Sequence, residues 1–169
     1  MAKVLIVGGG AAGLMAAGAA VRQGHEVTVL EHMEKPGQKI LVTGKGRCNV
    51  TNDCDQETLM ANIPGNGRFL YSALTRFTPQ DAMAFFEALG VPLKVERGNR
   101  VFPVSDRSFD ISGALERELR RLRVRILRER AAEITAEDGR VTGVQTDRQH
   151  HPADAVVLAT GGVFYPGTG

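Results

Sequence analysis

The sequence of 169 residues predicts an α/β protein built on a parallel central sheet. A short aliphatic run, Lys3–Val7, ends abruptly in glycine, which is typical of a buried parallel strand. An alanine-rich segment from Ala11 to Gln23 predicts a helix, with Gly24 placed to end it. The β-branched stretch Glu26–Leu30 follows at once. Together these segments form a strand–helix–strand unit, the building block of a parallel sheet.

Two later segments carry helical patterns. Thr78 is a suitable N-cap with Pro79 at the first helical position, and Gly90 stops the helix. The apolar face of this helix consists of Ala82, Phe85, Phe86 and Leu89. A second apolar stripe consists of Ile111, Leu115, Leu119 and Leu122. The region 35–112 is therefore expected to be an excursion of loops and helices out of the sheet.

The end of the sequence predicts strands again. Residues Ala131–Ala136 and Val141–Thr146 flank an Asp138-Gly139 turn, and we expect a β-meander over 131–152. The last apolar strand is predicted over Ala153–Ala159. The dipeptide His150-His151 precedes a proline and is expected to be a loop.

Composition and charge narrow the function classes. A formal charge of +2 gives little support for a nucleic-acid or anionic-membrane partner. Seven arginines lie between Arg117 and Arg130, but glutamates are interspersed among them, so a solvated helix face is expected. Two cysteines cannot build a disulfide framework or fill a tetrahedral metal site, and we expect no metal. The uncharged run Val4–Val21 contains five glycines, which argues against a membrane span or signal peptide. A cytoplasmic protein is expected.

The sequence Gly8-Gly9-Gly10-Ala11-Ala12-Gly13 matches the G-x-G-x-x-G pattern between a strand and a helix. The first glycine permits the tight turn, the second lets backbone approach a diphosphate, and the third lets the helix pack closely on the sheet. The helix start supplies free N–H groups and a positive dipole end for that diphosphate. This context predicts a dinucleotide site, which by spacing alone fits NAD as well as FAD.

Glu31 lies at the end of the second predicted strand, eighteen residues after Gly13. A carboxylate at this place can accept hydrogen bonds from both ribose hydroxyls, and it would repel a 2′-phosphate. We therefore expect an adenosine ribose at Glu31 and no NADP at this site.

Two further glycine-rich segments are candidates for cofactor contact. In Thr43–Asn49 the glycines allow close backbone approach, and Arg47 could pair with a phosphate or a flavin carbonyl. Cys48 has no partner at CxxC spacing, and an ordinary thiol is expected. The turn Thr160-Gly161-Gly162 follows a buried strand, so it should lie beside the first glycine loop at the carboxyl edge of the sheet.

These segments, in this order, resemble a bacterial family of FAD-dependent oxidoreductases, the aminoacetone-oxidase-like or bile-acid-reductase-like flavoproteins. The matching stretches are VLIVGGGAAGLMAA (Val4–Ala17), GQKILVTGKGRCNVTN (Gly37–Asn52), RVFPVSDRS (Arg100–Ser108) and VVLATGGVFYPGTG (Val156–Gly169). GRCN and FPVSD are more specific than the glycine fingerprint, and with ATGG they favour FAD over NAD.

The resemblance implies a glutathione-reductase-like, Rossmann-type FAD-binding domain with a parallel central sheet and a β-meander crossover. It implies FAD as the cofactor and NADH or NADPH as the electron donor. The residues it places along the diphosphate are Gly8, Gly10, Ala11, Ala12 and Gly13, and it places Glu31 on the adenosine ribose. Further contacts are implied for Lys39, Gly44, Arg47, Asn49, Ala131 (through its backbone, to adenine), Thr160 and Gly161. No catalytic residue is implied.

The resemblance also concerns the extent of the domain. Residues 1–169 correspond to the N-terminal part of a truncated FAD-binding domain, without the family's substrate domain and C-terminal FAD-binding segment. On this basis the segment is expected to be catalytically incomplete by itself.

The full-length protein is expected to transfer hydride between reduced nicotinamide and a small organic substrate, such as a small amine or an unsaturated steroid-like ketone. We expect no nucleic-acid or membrane partner, and the oligomeric state is left open. Two alternatives stay open: a relative of the tRNA-modifying flavoproteins, and a non-catalytic module that binds nucleotides.

Overall fold

The structure is a computed structural model that describes residues 1–162, and the chain divides into two compact units. The first unit comprises Met1–Ile40 and Leu115–Gly169, and the second comprises Leu41–Ala114. The strands are β1 (Lys3–Val7), β2 (Glu26–Glu31), β3 (Thr51–Asn52), β4 (Leu93–Glu96), β5 (Arg100–Pro103), β6 (Arg125–Arg128), β7 (Ala131–Glu137), β8 (Arg140–Thr146), β9 (His150–Pro152) and β10 (Ala155–Leu158). The α-helices are α1 (Ala11–Arg22), α2 (Gln38–Val42), α3 (Gln56–Ala61), α4 (Tyr71–Arg76), α5 (Pro79–Ala88) and α6 (Ser108–Arg121). Short 3-10 helices cover Thr43–Gly46 and Gly67–Leu70.

The first unit is built on a four-stranded parallel sheet in the order β10-β1-β2-β6. Its strands β1 and β2 are almost wholly buried, with Ile6 and Val29 fully inaccessible to solvent. Helix α1 packs on this sheet through Leu14, which is 1% exposed. Aliphatic runs buried on both faces are characteristic of parallel sheets. The predicted α/β class with a parallel central sheet is confirmed.

The predicted meander is also present, as the antiparallel sheet β7-β8-β9. Its turn residues Asp138 and Gly139 both have positive φ, as a two-residue hairpin turn requires. Val144 on β8 is completely buried and joins a core cluster with Leu5 and Val7. The expectation that His150-His151 forms a loop is wrong, because both histidines pair with β8 as part of β9.

The arginine-rich segment is not one helix face. Helix α6 ends at Arg121, and Arg123 has a φ of +59°, which breaks the helical path. Arg125 and Arg128 lie instead on β6, the edge strand beside β2. The expectation of a helix face failed because pairing with β2, a long-range interaction, fixes this strand.

The second unit contains a three-stranded antiparallel sheet in the order β3-β5-β4, with α5 packed near it. The predicted start of α5 is confirmed: Thr78 and Asp81 form a reciprocal capping box, and Pro79 opens the helix. The expected excursion of loops and helices over 35–112 is incomplete, because it omitted this sheet. β3 is two residues long and pairs with β5 about fifty residues further along the chain, whereas β4 and β5 form a local hairpin that the prediction overlooked.

No helix within residues 1–162 is long and apolar enough to cross a membrane. Of the segment Val156–Gly169 used in the family resemblance, residues 163–169 lie outside the described part of the chain.

Candidate nucleotide-binding site

The glycine loop turns the chain from β1 into α1 at the carboxyl edge of the parallel sheet. Gly8 has a φ of +105°, a conformation that L side chains rarely adopt. Its N–H donates to the carbonyl of Leu30 at 2.9 Å, so the loop is tied to β2. A side chain at Gly8 would collide with the backbone of Ala159 and come within 3.1 Å of the Thr160 Cα. The predicted proximity of Thr160 to the first glycine loop is therefore confirmed.

The other two glycines of the motif meet different surroundings. A Cβ on Gly13 would overlap the carbonyl oxygen of Gly8 and lie 3.0 Å from its carbon, so the start of α1 needs glycine to pack against the loop. A Cβ on Gly10 would meet nothing within 4 Å. Gly10 is the N-cap of α1, and Ala11 and Ala12 are exposed in its first turn. The helix start therefore presents N–H groups to open space, where a diphosphate could approach.

Glu31 ends β2 and is 8% exposed. Its Oε2 accepts a hydrogen bond from the Gly9 N–H and its Oε1 from the Met33 N–H, both at 2.8 Å. His32 Nδ1 lies 3.4 Å from Oε1. An ionised carboxylate has about four acceptor positions, so these two backbone bonds leave capacity for ligand hydroxyls. The predicted position of Glu31 at the end of the second strand is confirmed.

One cleft joins these features. It has a volume of about 260 Å³ and runs along the carboxyl ends of the parallel strands. Five predicted cofactor residues line it: Gly8, Gly10, Glu31, Ala131 and Thr160. Gly13 supports the loop beneath it, as described above. Parallel α/β sheets bind ligands at this edge, so the cleft is the candidate nucleotide site.

Lys39 and Gly161, two further predicted cofactor residues, lie near each other in the first unit. Lys39 Nζ donates to the carbonyl of Gly162 at 3.3 Å. Gly161 has a φ of +85°, and a Cβ there would lie 3.3 Å from the same Nζ. The ammonium group thus lies at the turn that follows β10. Its contact with a cofactor stays a prediction.

Sequence reasoning missed a buried carboxylate in the wall of the cleft. Glu129 follows β6, is 7% exposed, and lines the cleft beside Ala131. Its Oε2 accepts a hydrogen bond from Thr146 Oγ1 at 2.7 Å and lies 2.7 Å from His151 Nε2. Burial tends to raise the pKa of Glu129, but the hydrogen bonds to His151 and Thr146 outweigh it and lower that pKa. No sequence signal indicated this carboxylate, because β6 and β9 were not expected as strands.

In the second unit, Arg47 joins the two most specific motifs of the sequence. Its Nη1 donates to both carboxylate oxygens of Glu96, at 2.9 and 3.1 Å, and to Asp106 at 3.2 Å. Its guanidinium carbon lies 4.0 Å from the ring centroid of Phe102. Lys94 Nζ closes the network at 2.6 Å from Asp106. The GRCN and FPVSD stretches therefore form one cluster, through Arg47.

This network shifts the protonation equilibria of its members. The hydrogen bond with Glu96 raises the pKa of the Arg47 guanidinium and lowers the pKa of the Glu96 carboxyl. The bond from Lys94 lowers the pKa of Asp106 in the same way. Two carboxylates thus already balance the charge of Arg47. Its predicted pairing with a phosphate or flavin carbonyl stays a prediction.

Gly44 and Asn49, the other predicted cofactor residues of this unit, have structural contacts of their own. Gly44 has a φ of +55°, and a Cβ there would lie 2.9 Å from the backbone nitrogen of Asn49. The Asn49 amide, oriented with its NH₂ toward the sheet, donates to Thr51 and Val101 carbonyls at 2.9 and 3.1 Å. Cys48 between them is buried, and burial raises the pKa of its thiol. A raised pKa fits an ordinary thiol better than a redox-active one.

Comparison with known proteins places these features in a family. The family model described as "HI0933-like protein Rossmann domain" matches residues 2–169. A 3-dehydro-bile acid delta(4,6)-reductase from Clostridium scindens is 38% identical over 165 residues, which is 96% of this chain and 39% of the relative. A ribosomal RNA dihydrouridine synthase from Escherichia coli is 31% identical over 168 residues, covering 98% of this chain and 40% of the relative. The chain thus spans about two-fifths of the length of these relatives.

Solved structures share the fold. A 3-ketosteroid-delta4-(5alpha)-dehydrogenase from Rhodococcus jostii RHA1 has a TM-score of 0.71 at 20% identity, over 95% of this chain and 46% of the other. A flavocytochrome c3 fumarate reductase has a TM-score of 0.63 at 23% identity, over 95% of this chain and 34% of the other. At these identities the likeness is one of fold. From the family match, which covers nearly every residue, the chain belongs to the HI0933-like protein Rossmann domain family.

Proposed function

We propose that the first unit binds FAD through its ADP half, in the cleft along the carboxyl ends of the parallel strands. In this proposal the start of α1 at Gly10, Ala11 and Ala12 holds the diphosphate, Glu31 holds the adenosine ribose, and the Ala131 backbone meets adenine. The observation that carries the proposal is that the glycine loop, Glu31 and Ala131 all border one cleft.

The residues present fit such a ligand. The N-terminal N–H groups of α1 and the helix dipole favour an anion. The space beyond Gly10 is free of protein atoms within 4 Å of an added Cβ, so a diphosphate could come close to the backbone. The Glu31 carboxylate favours free ribose hydroxyls over a phosphorylated ribose. These features support an ADP moiety with a free ribose and argue against NADP in this cleft, and the family match favours FAD as the dinucleotide.

The remaining assignments rest on the family resemblance. Lys39, Thr160 and Gly161 in the first unit, with Gly44, Arg47 and Asn49 in the second, are proposed to run along the rest of the cofactor. When bound, FAD supplies hydride transfer through the flavin ring, and the protein supplies binding and orientation. We propose NADH or NADPH as the electron donor of the full-length protein.

For the full-length protein we propose reduction of a carbon–carbon double bond in a small unsaturated ketone. The support is the 38% identity to a protein named as a bile acid delta(4,6)-reductase. A flavin suits this reaction because it can deliver hydride to an electron-poor carbon. The chain covers 39% of that relative, and the activity is proposed for the full-length protein only.

A second candidate is reduction of uridine in ribosomal RNA. It is supported by matches to ribosomal RNA dihydrouridine synthases of Escherichia coli and Haemophilus influenzae, at 31% and 30% identity. This candidate takes the place of the tRNA-modifying alternative considered from the sequence. Both candidates need the same FAD site and differ in substrate.

The test is to purify the full-length protein, record its visible spectrum, and measure oxidation of NADH and NADPH with each substrate class. We expect a flavin spectrum that persists through gel filtration, and product from an unsaturated steroid-like ketone. Dihydrouridine in rRNA, with no turnover of the ketone, would select the second candidate. Tight ADP binding without flavin would contradict the FAD proposal and favour a non-catalytic nucleotide-binding module.

A further inference from the structure

Glu129 lies next to the proposed ribose site, one strand further along the sheet. The register pairs Glu31 with Arg128, and the Glu129 N–H donates to the Glu31 carbonyl at 3.1 Å. Glu129 is therefore held at the carboxyl end of β6, as Glu31 is at the end of β2. At 7% exposure it is more than nine-tenths buried.

The two oxygens of this carboxylate differ. Oε2 takes the hydrogen bond from Thr146 and the contact with His151, both at 2.7 Å. Within residues 1–162 no group donates a hydrogen bond to Oε1. Every enclosed side-chain polar atom of the described residues has a partner, so Oε1 must border accessible space. Glu129 lines the cleft and also borders a second cavity of about 550 Å³, so its accessible acceptor faces one of these two spaces, and in the proposed arrangement it faces the cleft. A buried carboxylate with an unused oxygen gains from a ligand donor, because a lost hydrogen bond is costly at such a site.

The order of the strands indicates which part of a nucleotide reaches this acceptor. Neighbouring strands lie about 4.8 Å apart, and the sheet order runs β1, β2, β6. The diphosphate is proposed at the end of β1 and the ribose at the end of β2. The next group of an ADP moiety is the base, which then lies at the end of β6, beside Glu129 and Ala131.

We propose that Glu129 determines base specificity, with Oε1 accepting a hydrogen bond from the exocyclic amine of adenine. Thr146 and His151 are positioning residues that hold Oε2 and so direct Oε1 to the base. This inference rests on the proposed ADP site and adds a side-chain contact to it.

The chemistry of the carboxylate makes the contact selective. An ionised carboxylate can only accept hydrogen bonds, and the N6 amine of adenine is a donor. Hypoxanthine has a carbonyl oxygen at that position, so two acceptors would face each other. The hydrogen bonds that lower the pKa of Glu129, together with the nearby charge of Arg148, keep the carboxylate ionised at neutral pH. Arg148 lines the second cavity that Glu129 also borders.

The test compares ADP with IDP as ligands of the full-length protein after its bound flavin has been removed, by calorimetric titration. We expect wild-type protein to bind ADP about 10- to 100-fold more tightly than IDP, the range for a hydrogen bond to a charged group. In Glu129→Gln we expect the amide oxygen to keep the contacts with Thr146 and His151, so that its NH₂ faces the base. The ratio should then fall to about one or invert. His151→Ala removes one of the two contacts that hold Oε2, so its ratio of ADP affinity to IDP affinity should lie between those of wild type and Glu129→Gln. Glu133→Gln, at an exposed position on β7, is the matched control and should keep the wild-type ratio.

Two outcomes would overturn the inference while leaving the ADP site in place. One is equal affinity of the wild-type protein for ADP and IDP, a measurement that needs no variant. The other is an equal weakening of both ligands in Glu129→Gln, which would indicate a structural role or a ribose contact. Failure of wild-type protein to bind ADP at all would instead contradict the proposed function itself, and this inference with it.

Discussion

Replacing Gly13 with alanine tests the packing of the glycine motif without reference to any ligand. An added Cβ at Gly13 would overlap the Gly8 carbonyl oxygen and lie 3.3 Å from Ile6 Cγ2. Backbone and a fully buried side chain cannot move aside cheaply, so α1 must shift away from the loop. Overpacking of this kind costs about 1–3 kcal/mol. Because the overlap is with backbone, we expect the upper part of that range, about 2–3 kcal/mol. The better helix propensity of alanine recovers about 0.5–1 kcal/mol, so the free energy of unfolding, measured with urea, should fall by about 1–2.5 kcal/mol.

The same helix offers a matched control at Gly18. A Cβ there would meet the flexible end of Arg22 at 3.2 Å and Leu119 Cδ2 at an ordinary 3.7 Å. Gly18→Ala should therefore leave the free energy of unfolding unchanged or raise it by up to about 1 kcal/mol. If Gly13→Ala unfolds at the same urea concentration as wild type, or a higher one, the steric account of this loop is wrong.

Three further perturbations follow from contacts in the two units. Glu118 is buried and its pKa is lowered by the hydrogen bond from Arg121. Its stabilisation is therefore complete above the unfolded-state pKa of about 4.3 and is lost as the pH falls below it. In Glu118→Gln, urea titrations should show that the free energy of unfolding falls by about 1–2 kcal/mol at pH 7, and that this difference from wild type shrinks toward pH 3. A difference that stays constant with pH would refute the ionic role of Glu118. Cys48 is buried with a raised thiol pKa, so iodoacetamide at pH 7.5 should label it only after unfolding. Rapid labelling of Cys48 in the folded protein, distinguished by peptide mapping from the partly buried Cys54, would contradict its burial. Thr78→Ala removes half of the capping box of α5 and should lower the free energy of unfolding by about 1 kcal/mol, and unchanged stability would contradict the role of this cap.

The strand–loop–helix–strand start of the chain could be predicted because local and tertiary preferences agree there. The aliphatic run Lys3–Val7 is buried on both faces, the glycine loop needs its glycines, and Glu26–Glu31 pairs directly with β1. In each of these segments the residue pattern alone indicates the secondary structure. The position of Glu31 at the cleft followed from its place at the end of the second strand, eighteen residues after Gly13. The helix after Thr78 was predictable for a similar reason, since the residues that cap it lie next to one another in the sequence.

Much of what sequence reasoning missed depends on contacts between distant residues, although β9 pairs locally with β8. β6 has the sequence RILR and pairs with β2 about a hundred residues away, so its arginines suggested a helix surface instead. β9 contains two histidines, and its pairing with β8 brings His151 to Glu129. The partners of Arg47 were missed because Glu96 and Asp106 are separated from it by 49 and 59 residues. Side-chain networks of this range leave no local pattern in a single sequence.

The most direct test of the central claim is the affinity of the flavin-free full-length protein for ADP, measured for wild type, Glu31→Ala and Glu26→Ala. Glu26 is an exposed glutamate at the opposite end of β2, so its replacement changes the same charge on the same strand away from the cleft. If Glu31 holds the ribose, its loss should weaken ADP by about 1.5–3 kcal/mol, or roughly 10- to 100-fold, while Glu26→Ala binds as wild type does. Equal affinities for the wild type and the Glu31→Ala variant would contradict the assignment of this cleft as the nucleotide site.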